Sequence, residues 1–303
     1  MHNRLTEIVL RRAQRWIISR QFRAKLGYSS DFEHPKSYQE KIQFRKLYGN
    51  HAFYALVADK YRVRDYVAAR VGAERLIPLL GVYDRLQASD FEALPQQFII
   101  KANHGCKWNR IVRDKSALDV GETVRHFNCL RRRRFGWRGG ERHYNFIEPK
   151  ILIEELLQCE GAPPWEYNFY CFNDPGGFDY DYTVERPPDS GAFAVIASDG
   201  KVLLNQDLSA AEMARYARPS NFDDMVAVAR ALSADFDFVR VDLYIVSGRV
   251  YFGELTCTPR RGYGRIASET VQRRRNDMWH LDAGNPRLYS RNVRSPRAET
   301  GAH

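Results

Sequence analysis

The segment that most restricts the fold is FVRVDLYIVSGRVYFGELTCTP, residues 238–259. Val239, Val241, Leu243 and Ile245 alternate with Arg240, Asp242 and Tyr244, the period-two pattern of a half-buried strand. Ser247-Gly248 is a turn, and a second strand follows through Val250, Phe252, Glu254 and Thr256. A hairpin with an arginine, two acids and a hydroxyl on one face is costly unless those groups meet something charged. A divalent cation holding a polyphosphate suits them, because hard oxygen ligands fit Mg²⁺ and an arginine fits phosphoryl oxygens. The register makes a demand. A strict two-residue loop pairs Asp242 with Gly253 and turns Glu254 to the other face. A three-residue loop or a bulge pairs Asp242 with Glu254, and that odd-length arrangement is expected. An exposed hairpin with ordinary surface charges is the alternative.

The rest of the chain supplies a body for such a site. With 303 residues, 44% hydrophobic and 13% aromatic, it is long enough for a substantial core. The 47 basic and 37 acidic residues give a net charge of +10, which suits an anionic ligand such as a nucleotide, an acidic glycan, nucleic acid or a membrane surface. Five scattered cysteines without a CxxC form neither a disulfide framework nor a zinc pattern, so reduced thiols in a cytoplasmic protein are expected. No apolar run approaches the ~20 residues needed to span a bilayer, and no secretory signal is expected.

Leu5 to Leu26 reads as an amphipathic helix ringed by arginines, docked on its own domain or lying on a membrane surface. Ser37 to Arg70 reads as helix broken near Gly49-Asn50, and Ile77 to Val82 as a short strand. Phe98 to Lys101 and Asn109 to Val112 are strands around a Gly-containing loop. Leu118 to Arg134 is a helix ending in four arginines, and Gly136 to Gly140 a mobile loop. Strands follow in PKILIEELL, WEYNFYCFN, GGFDYDYTVE and GAFAVIASDGKVLLN, the last with a turn at Asp199-Gly200. Phe222 to Leu232 is helical, and Arg291 to His303 is expected to fray.

The chain has no GxxxxGK[ST] loop and no GxGxxG after a strand. Lys101, at a strand end before His104-Gly105, could reach a phosphate, and Glu154-Glu155 could lie against an adenine. Taken in order, Lys60, Lys101, Glu154, Glu166, Arg240, Asp242, Glu254 and Thr256 resemble the ATP-grasp superfamily. The stretch from about Phe32 to Leu281 is similar to its TupA-like family of polysaccharide biosynthesis clusters. The resemblance is carried by YQEKIQFRKLYGN, ADKYRVRDYV, LIPLLGVYD, LPQQFIIKANHGCKWN, PKILIEELL, YNFYCFN and the 238–259 hairpin.

That resemblance implies an α+β, ATP-grasp fold: two α+β subdomains holding the nucleotide between them, with a helical N-terminal extension. The implied divisions are 1–50 helical segment, 51–95 N-terminal subdomain, 96–155 lid subdomain, 156–285 C-terminal subdomain with the metal site, and 286–303 flexible tail. ATP and one or two Mg²⁺ ions are the implied cofactors. Lys60 and Lys101 would contact phosphates, with His104 and Lys107 in the same loop. Glu154, Glu155 and Leu156 would line the adenine edge, and Glu166 would meet the ribose. Asp242, Glu254 and Thr256 would form the metal site, and Arg240 would sit over the transferring phosphoryl group as a catalytic residue beside Lys101. The segment His104 to Gly140 would act as a lid. The implied reaction is that of a carboxylate-amine ligase working through an acylphosphate, its acceptor a cell-surface glycan or precursor such as a uronic acid.

The sequence departs from the family pattern at three places. HGSGxN becomes His104-Gly105-Cys106-Lys107-Trp108-Asn109, a lysine becomes Asn168, and a Gly-Ser-Gly turn becomes Arg260-Arg261-Gly262. Other readings stay open: a sugar or small-molecule kinase of the same fold, a non-catalytic glycan-assembly module, and an RNA-binding protein suggested by Arg131 to Arg134, though no nucleic-acid fold is recognised. Cys106 and Cys257 read as small packing residues.

Overall fold

The computed structural model describes residues 4–290 except 138, 160, 188 and 189, with side chains from residue 9 onward. In chain order the helices are α1 (Arg4–Leu26), α2 (Tyr38–Tyr48), α3 (His51–Ala58), α4 (Val63–Val71), α5 (Val120–Leu130), α6 (Ala210–Tyr216), α7 (Phe222–Ser233) and α8 (Glu269–Met278). The strands are β1 (Leu79–Tyr83), β2 (Phe98–Ala102), β3 (Asn109–Val112), β4 (Ile151–Glu155), β5 (Glu166–Asp174), β6 (Gly177–Glu185), β7 (Phe193–Ala197), β8 (Val202–Gln206), β9 (Phe238–Val246) and β10 (Arg249–Thr256).

Two antiparallel sheets result. The smaller has the order β1-β4-β2-β3, and the larger β10-β9-β5-β6-β7-β8. Alternation explains the larger sheet. Val239, Val241 and Leu243 of β9 pack with Phe169 and Cys171 of β5 and with Met225, Val228 and Leu232 of α7 in the main core. The intervening residues Arg240 and Asp242, with Asn168 opposite Asp242, occupy the other face. The smaller sheet buries Phe98, Ile100, Ile151 and Ile153 with Phe127 and Leu130 of α5. A bridge between Leu76 and Phe252 joins the segment entering the smaller sheet to the edge of the larger one.

The helical region is divided by its caps. Ser37 and Glu40 form a capping box at α2, and Asn50 caps α3 through the Phe53 N–H, so the break falls at Gly49-Asn50 as the sequence indicates. A second break follows at Asp59, whose carboxylate accepts from the Tyr61 and Arg62 N–H groups.

Several expectations need revision. Gly136, Gly139 and Gly140 are buried, and the Gly140 carbonyl accepts from Gln14 of α1 at 2.7 Å, so these glycines are packed against the fold rather than carried on a free loop. Helix α5 stops at Leu130, leaving the four arginines beyond it. The segment expected to be a flexible tail begins within ordered structure: Leu288 and Tyr289 are buried, and the Leu288 carbonyl accepts from the Asn50 N–H at 2.9 Å. Its remainder, 291–303, lies outside the described residues.

One buried ion pair anchors the site strands. Arg45 of α2 pairs with Asp237, both 1% exposed, and also donates to the Phe238 and Cys257 carbonyls at 2.8 and 2.9 Å. Those carbonyls lie at the start of β9 and just past the end of β10, so one guanidinium fixes both ends of the hairpin. The Tyr289 hydroxyl completes the shell by donating to Asp237 at 2.7 Å.

Candidate active site

The hairpin meets its register demand by a bulge. Val246 pairs with Arg249 across Ser247-Gly248, both left-handed at φ +49° and +74°, which is the two-residue turn. Continued without change, that register would pair Asp242 with Gly253. Instead the ladder shifts between Phe252 and Glu254, Gly253 is the extra residue, and Glu254 pairs with Asp242. A Cβ at Gly253 would stand 2.9 Å from Tyr244 Cε2 and 3.0 Å from the Asp242 carbonyl oxygen, so the bulge needs glycine.

The four polar residues close into one network. Arg240 donates from Nε to Asp242 Oδ1 at 2.7 Å and from Nη2 to Asp242 Oδ2 at 2.5 Å. The same Nη2 lies 3.3 Å from Glu254 Oε1 and 3.2 Å from Thr256 Oγ1, and the Thr256 hydroxyl donates to Glu254 Oε1 at 2.9 Å. Asp242 is 1% exposed. Burial drives its carboxyl up, Arg240 pulls it back and Glu254 adds to the rise. Glu254 goes the other way. Burial would raise it, but Lys60, Arg240, the Thr256 hydroxyl and Lys101 together hold it below its ordinary value.

Lys60 and Lys101 reach this network from the smaller sheet's side. Lys60 Nζ donates to the Gly105 carbonyl at 2.9 Å and lies 3.9 Å from Glu254 Oε2. Asn103, fully buried, fixes the loop by donating to Asp59 Oδ1 and the Glu148 carbonyl at 2.8 Å each. A Cβ at Gly105 would stand 2.5 Å from the Trp108 ring, so a larger residue there would displace that ring. Lys107 is exposed at φ +59°, and Arg260 and Arg261 sit at φ +49° and +58°. These are departures from the family pattern, yet the left-handed backbone persists under long basic side chains at about 1 kcal/mol or more each.

Two of the expected nucleotide contacts are otherwise engaged. His104 is 3% exposed, with Nδ1 3.2 Å from Asn103 Oδ1 and Nε2 3.3 Å from the Leu130 carbonyl, and burial lowers its pKa. In this arrangement its ring packs between the Asn103 side chain and the Leu130 carbonyl. Glu154 is 5% exposed and holds two cations, Lys101 Nζ at 2.6 Å and Arg64 Nη1 at 3.3 Å. Its carboxylate orients Lys101 and is shared with Arg64. The Glu155 N–H donates to the Pro78 carbonyl at 3.1 Å, and Pro78, having no N–H, cannot return the bond. The Glu155 carbonyl is thereby denied that ladder partner at a strand end.

A cavity of about 780 Å³ lies beside the network. Lys101, Glu155, Leu156 and Glu166 of the expected set line it, as do Tyr170 and Tyr244 from the polar sheet face, and Arg113, Arg260 and Arg265. Lys60, His104, Lys107, Glu154, Arg240, Asp242, Glu254 and Thr256 do not line this cavity.

Reasoning from sequence missed Arg64, Asp59, Asn103 and Glu141. Glu141 is buried, accepts from the Thr258 hydroxyl at 2.6 Å and lies 3.3 Å from Arg261 Nε. Burial raises its pKa, with Thr258, Lys46 and Arg261 opposing. Cys257 is buried and its thiol is pushed up to about 12 by burial, as befits a packing residue.

The sequence profile of the TupA-like ATP-grasp family matches residues 40–276. The chain belongs to that family. Both sheets and every site element described above fall within the match except the N-terminal helix and the buried end at Leu288-Tyr289. A comparison with curated proteins finds no significant match. Among solved structures, the TupA-like chain is similar to D-alanine–D-alanine ligase from Helicobacter pylori, with 14% identity, TM-score 0.43, and coverage of 74% of this chain and 59% of that one. It is also similar to D-alanyl-alanine synthetase A from Vibrio cholerae (12%, TM-score 0.41, 75% and 67%) and to the ADP complex of N5-carboxyaminoimidazole ribonucleotide synthetase (12%, TM-score 0.41, 68% and 46%). The chain spans about half to two thirds of the length of these structures. Likeness this distant says nothing of substrate or reaction.

Whether a Mg²⁺ ion suits the site can be judged from its donors. Among the described residues no group of three His, Cys, Asp or Glu side chains converges. Mg²⁺ does not require one, since it is commonly held by one or two carboxylates, with waters and substrate phosphates completing its shell. Asp242 and Glu254 are two such carboxylates. Asn168, facing Asp242 across the ladder, keeps a buried Oδ1 without a hydrogen-bond partner. Carboxylate and amide oxygens of this kind are the hard donors that Mg²⁺ takes.

Proposed function

We propose that this protein is an ATP- and Mg²⁺-dependent ligase that joins an amine to a carboxylate through an acylphosphate. The observation that carries this is the Asp242–Glu254 cross-strand pair, with Arg240 bridging both acids and Lys60 opposite Glu254. In this reading Asp242 and Glu254 hold Mg²⁺, and Thr256 orients Glu254 through its hydroxyl. The ion, when bound, neutralises charge on the transferring phosphoryl group.

The chain's own residues do the rest. Lys60 and Lys101 bind phosphates, with Lys101 aimed by Glu154. Lys107 projects from the same loop and adds a positive charge. The Glu155 carbonyl and the Leu156 N–H take the adenine edge, and Glu166 takes the ribose. A substrate carboxylate oxygen attacks the γ-phosphorus, the bond to the bridging oxygen breaks and ADP leaves. The amine then attacks the acyl carbon, phosphate leaves with the bonding pair, and the amine gives up its proton. Arg240 stabilises the phosphoryl charge, and catalysis is mainly positioning and electrostatics. Movement of the exposed part of the expected lid, between Lys107 and Arg134, excludes water from the acylphosphate.

The acceptor is an acidic glycan or its precursor, a uronic acid for example. Arg113, Arg260 and Arg265 on the cavity wall suit such an anion. Use of ATP and five free thiols suit the cytoplasm. The test is hydroxylamine trapping. Candidate uronic acids are incubated with ATP, Mg²⁺ and hydroxylamine, and hydroxamate is measured with ADP. Hydroxamate stoichiometric with ADP supports the ligase. ADP with a stable phosphate ester and no hydroxamate replaces it by a kinase.

A further inference from the structure

Among its described side chains, helix α1 is buried along one face. Ile18 and Phe22 are fully buried, and Gln14 is 6% exposed and bonded to the Lys46 and Gly140 carbonyls. On the opposite side Val9 and Trp16 are each 64% exposed, and Arg12, Ala13, Arg20, Arg23 and Ala24 are exposed with them. At 3.6 residues per turn these fall on one stripe centred on Trp16, about 21 Å long from Val9 to Arg23. The Arg20 guanidinium lies 5.7 Å from the Trp16 ring. Among the described side chains the stripe holds no acid. Glu33, a carboxylate that pairs with this helix, is bonded to Arg15 on its flank.

We infer that this face of α1 docks on an anionic lipid surface, an interaction separate from the nucleotide chemistry. An indole and small apolar groups amid arginines match the boundary between acyl chains and charged headgroups. Two alternatives fit less well. A two-fold contact with a second copy would set Arg12, Arg20 and Arg23 against themselves. A nucleic-acid backbone would leave Val9, Ala13 and Ala24 against phosphate. The docking also has a direction. Arg265, which lines the main cavity, donates from Nε to the Lys25 carbonyl in the last turn of α1 at 3.1 Å. A surface held along α1 therefore meets the cavity's edge, where an acceptor carried at the membrane could enter.

The test is sedimentation of the full chain with phosphatidylcholine vesicles, with and without phosphatidylglycerol, at low and high salt. Binding is expected only with the anionic lipid and is expected to fall with salt. Arg12→Gln/Arg20→Gln should weaken it roughly 25-fold, about fivefold per basic residue. Trp16→Ala should weaken it on the order of tenfold. All three side chains are exposed, so the variants should melt like the native protein and bind nucleotide as it does. That separates failure of docking from failure of the proposed catalysis. Absence of binding to anionic vesicles overturns the inference. So does vesicle binding that survives these variants, a dimer that Trp16→Ala dissolves, or binding to an RNA oligonucleotide that anionic vesicles do not displace.

Discussion

Asp242 and Glu254 face each other across β9 and β10 because one residue between them and the turn, Gly253, is left out of the ladder. Without that bulge the strand would present Gly253 to Asp242 and turn Glu254 into the apolar core beside Phe252. A single inserted residue thus converts a two-residue hairpin into a pair of facing carboxylates.

Gly253→Val tests that relationship. Its side chain would collide with Tyr244 Cε2 and the Asp242 carbonyl, already 2.9 and 3.0 Å from an ideal Cβ. The expected cost is about 1–3 kcal/mol of stability, read by denaturant unfolding, together with loss of Mg²⁺-dependent nucleotide binding. Unchanged metal dependence in a folded variant would mean that the bulge does not set the site.

Arg45 and Asp237 support the same hairpin from beneath. Asp237→Ala would leave a buried guanidinium facing no anion, and about 3–5 kcal/mol of destabilisation is expected. Differential scanning calorimetry should show a clearly lower Tm. A change indistinguishable from that of an exposed pair such as Arg273–Glu269 would contradict the role assigned to this anchor.

Glu154 aims Lys101. Glu154→Gln keeps the shape and removes the charge, so Lys101 and Arg64 lose their shared anion. Turnover is expected to fall by about tenfold or more, with affinity for the nucleotide changing much less. Equal losses in both would assign Glu154 to nucleotide binding instead.

The protein should lose stability in mild acid through His143. Burial, helped by His51, Lys46 and Arg45, lowers its pKa from 6.5 to about 3. Between those values the unfolded chain binds the proton and the folded one does not. Stability therefore rises with pH from about 3 to 6.5 and declines as pH falls through that window, by a few kcal/mol at most. Tm measured against pH should show this slope, and His143→Gln should flatten it. An identical slope in that variant would place the acid lability elsewhere.

The strand alternation of residues 238–246, the odd register of the hairpin, the break at Gly49-Asn50 and the Asp199-Gly200 turn could all be read locally, since each depends on periodicity or turn chemistry within a few residues. Arg45 could not. In sequence it is one more basic residue of a charged helix, and its burial depends on Asp237, 192 positions away. The protein partners of Glu154 and His104 were hidden for a related reason. Their expected ligand contacts followed chain order, whereas the fold supplies Arg64, Lys101, Asn103 and Leu130 as nearer partners. The short helices α6 and α8 were missed because Arg- and Ala-rich stretches carry little apolar periodicity. Lys107, Arg260 and Arg261 are legible only with φ angles in hand: the backbone conformation that favours glycine remains where the glycine or serine of the family pattern does not.

The central claim is that Asp242 and Glu254 together bind Mg²⁺ with ATP. The most direct measurement is calorimetric titration with a non-hydrolysable ATP analogue, with and without Mg²⁺, comparing the native protein with Asp242→Asn/Glu254→Gln. The account predicts Mg²⁺-dependent binding by the native protein and its loss in a double variant that still folds. Absence of binding by the folded native protein, or binding that the double variant retains in full, would contradict it.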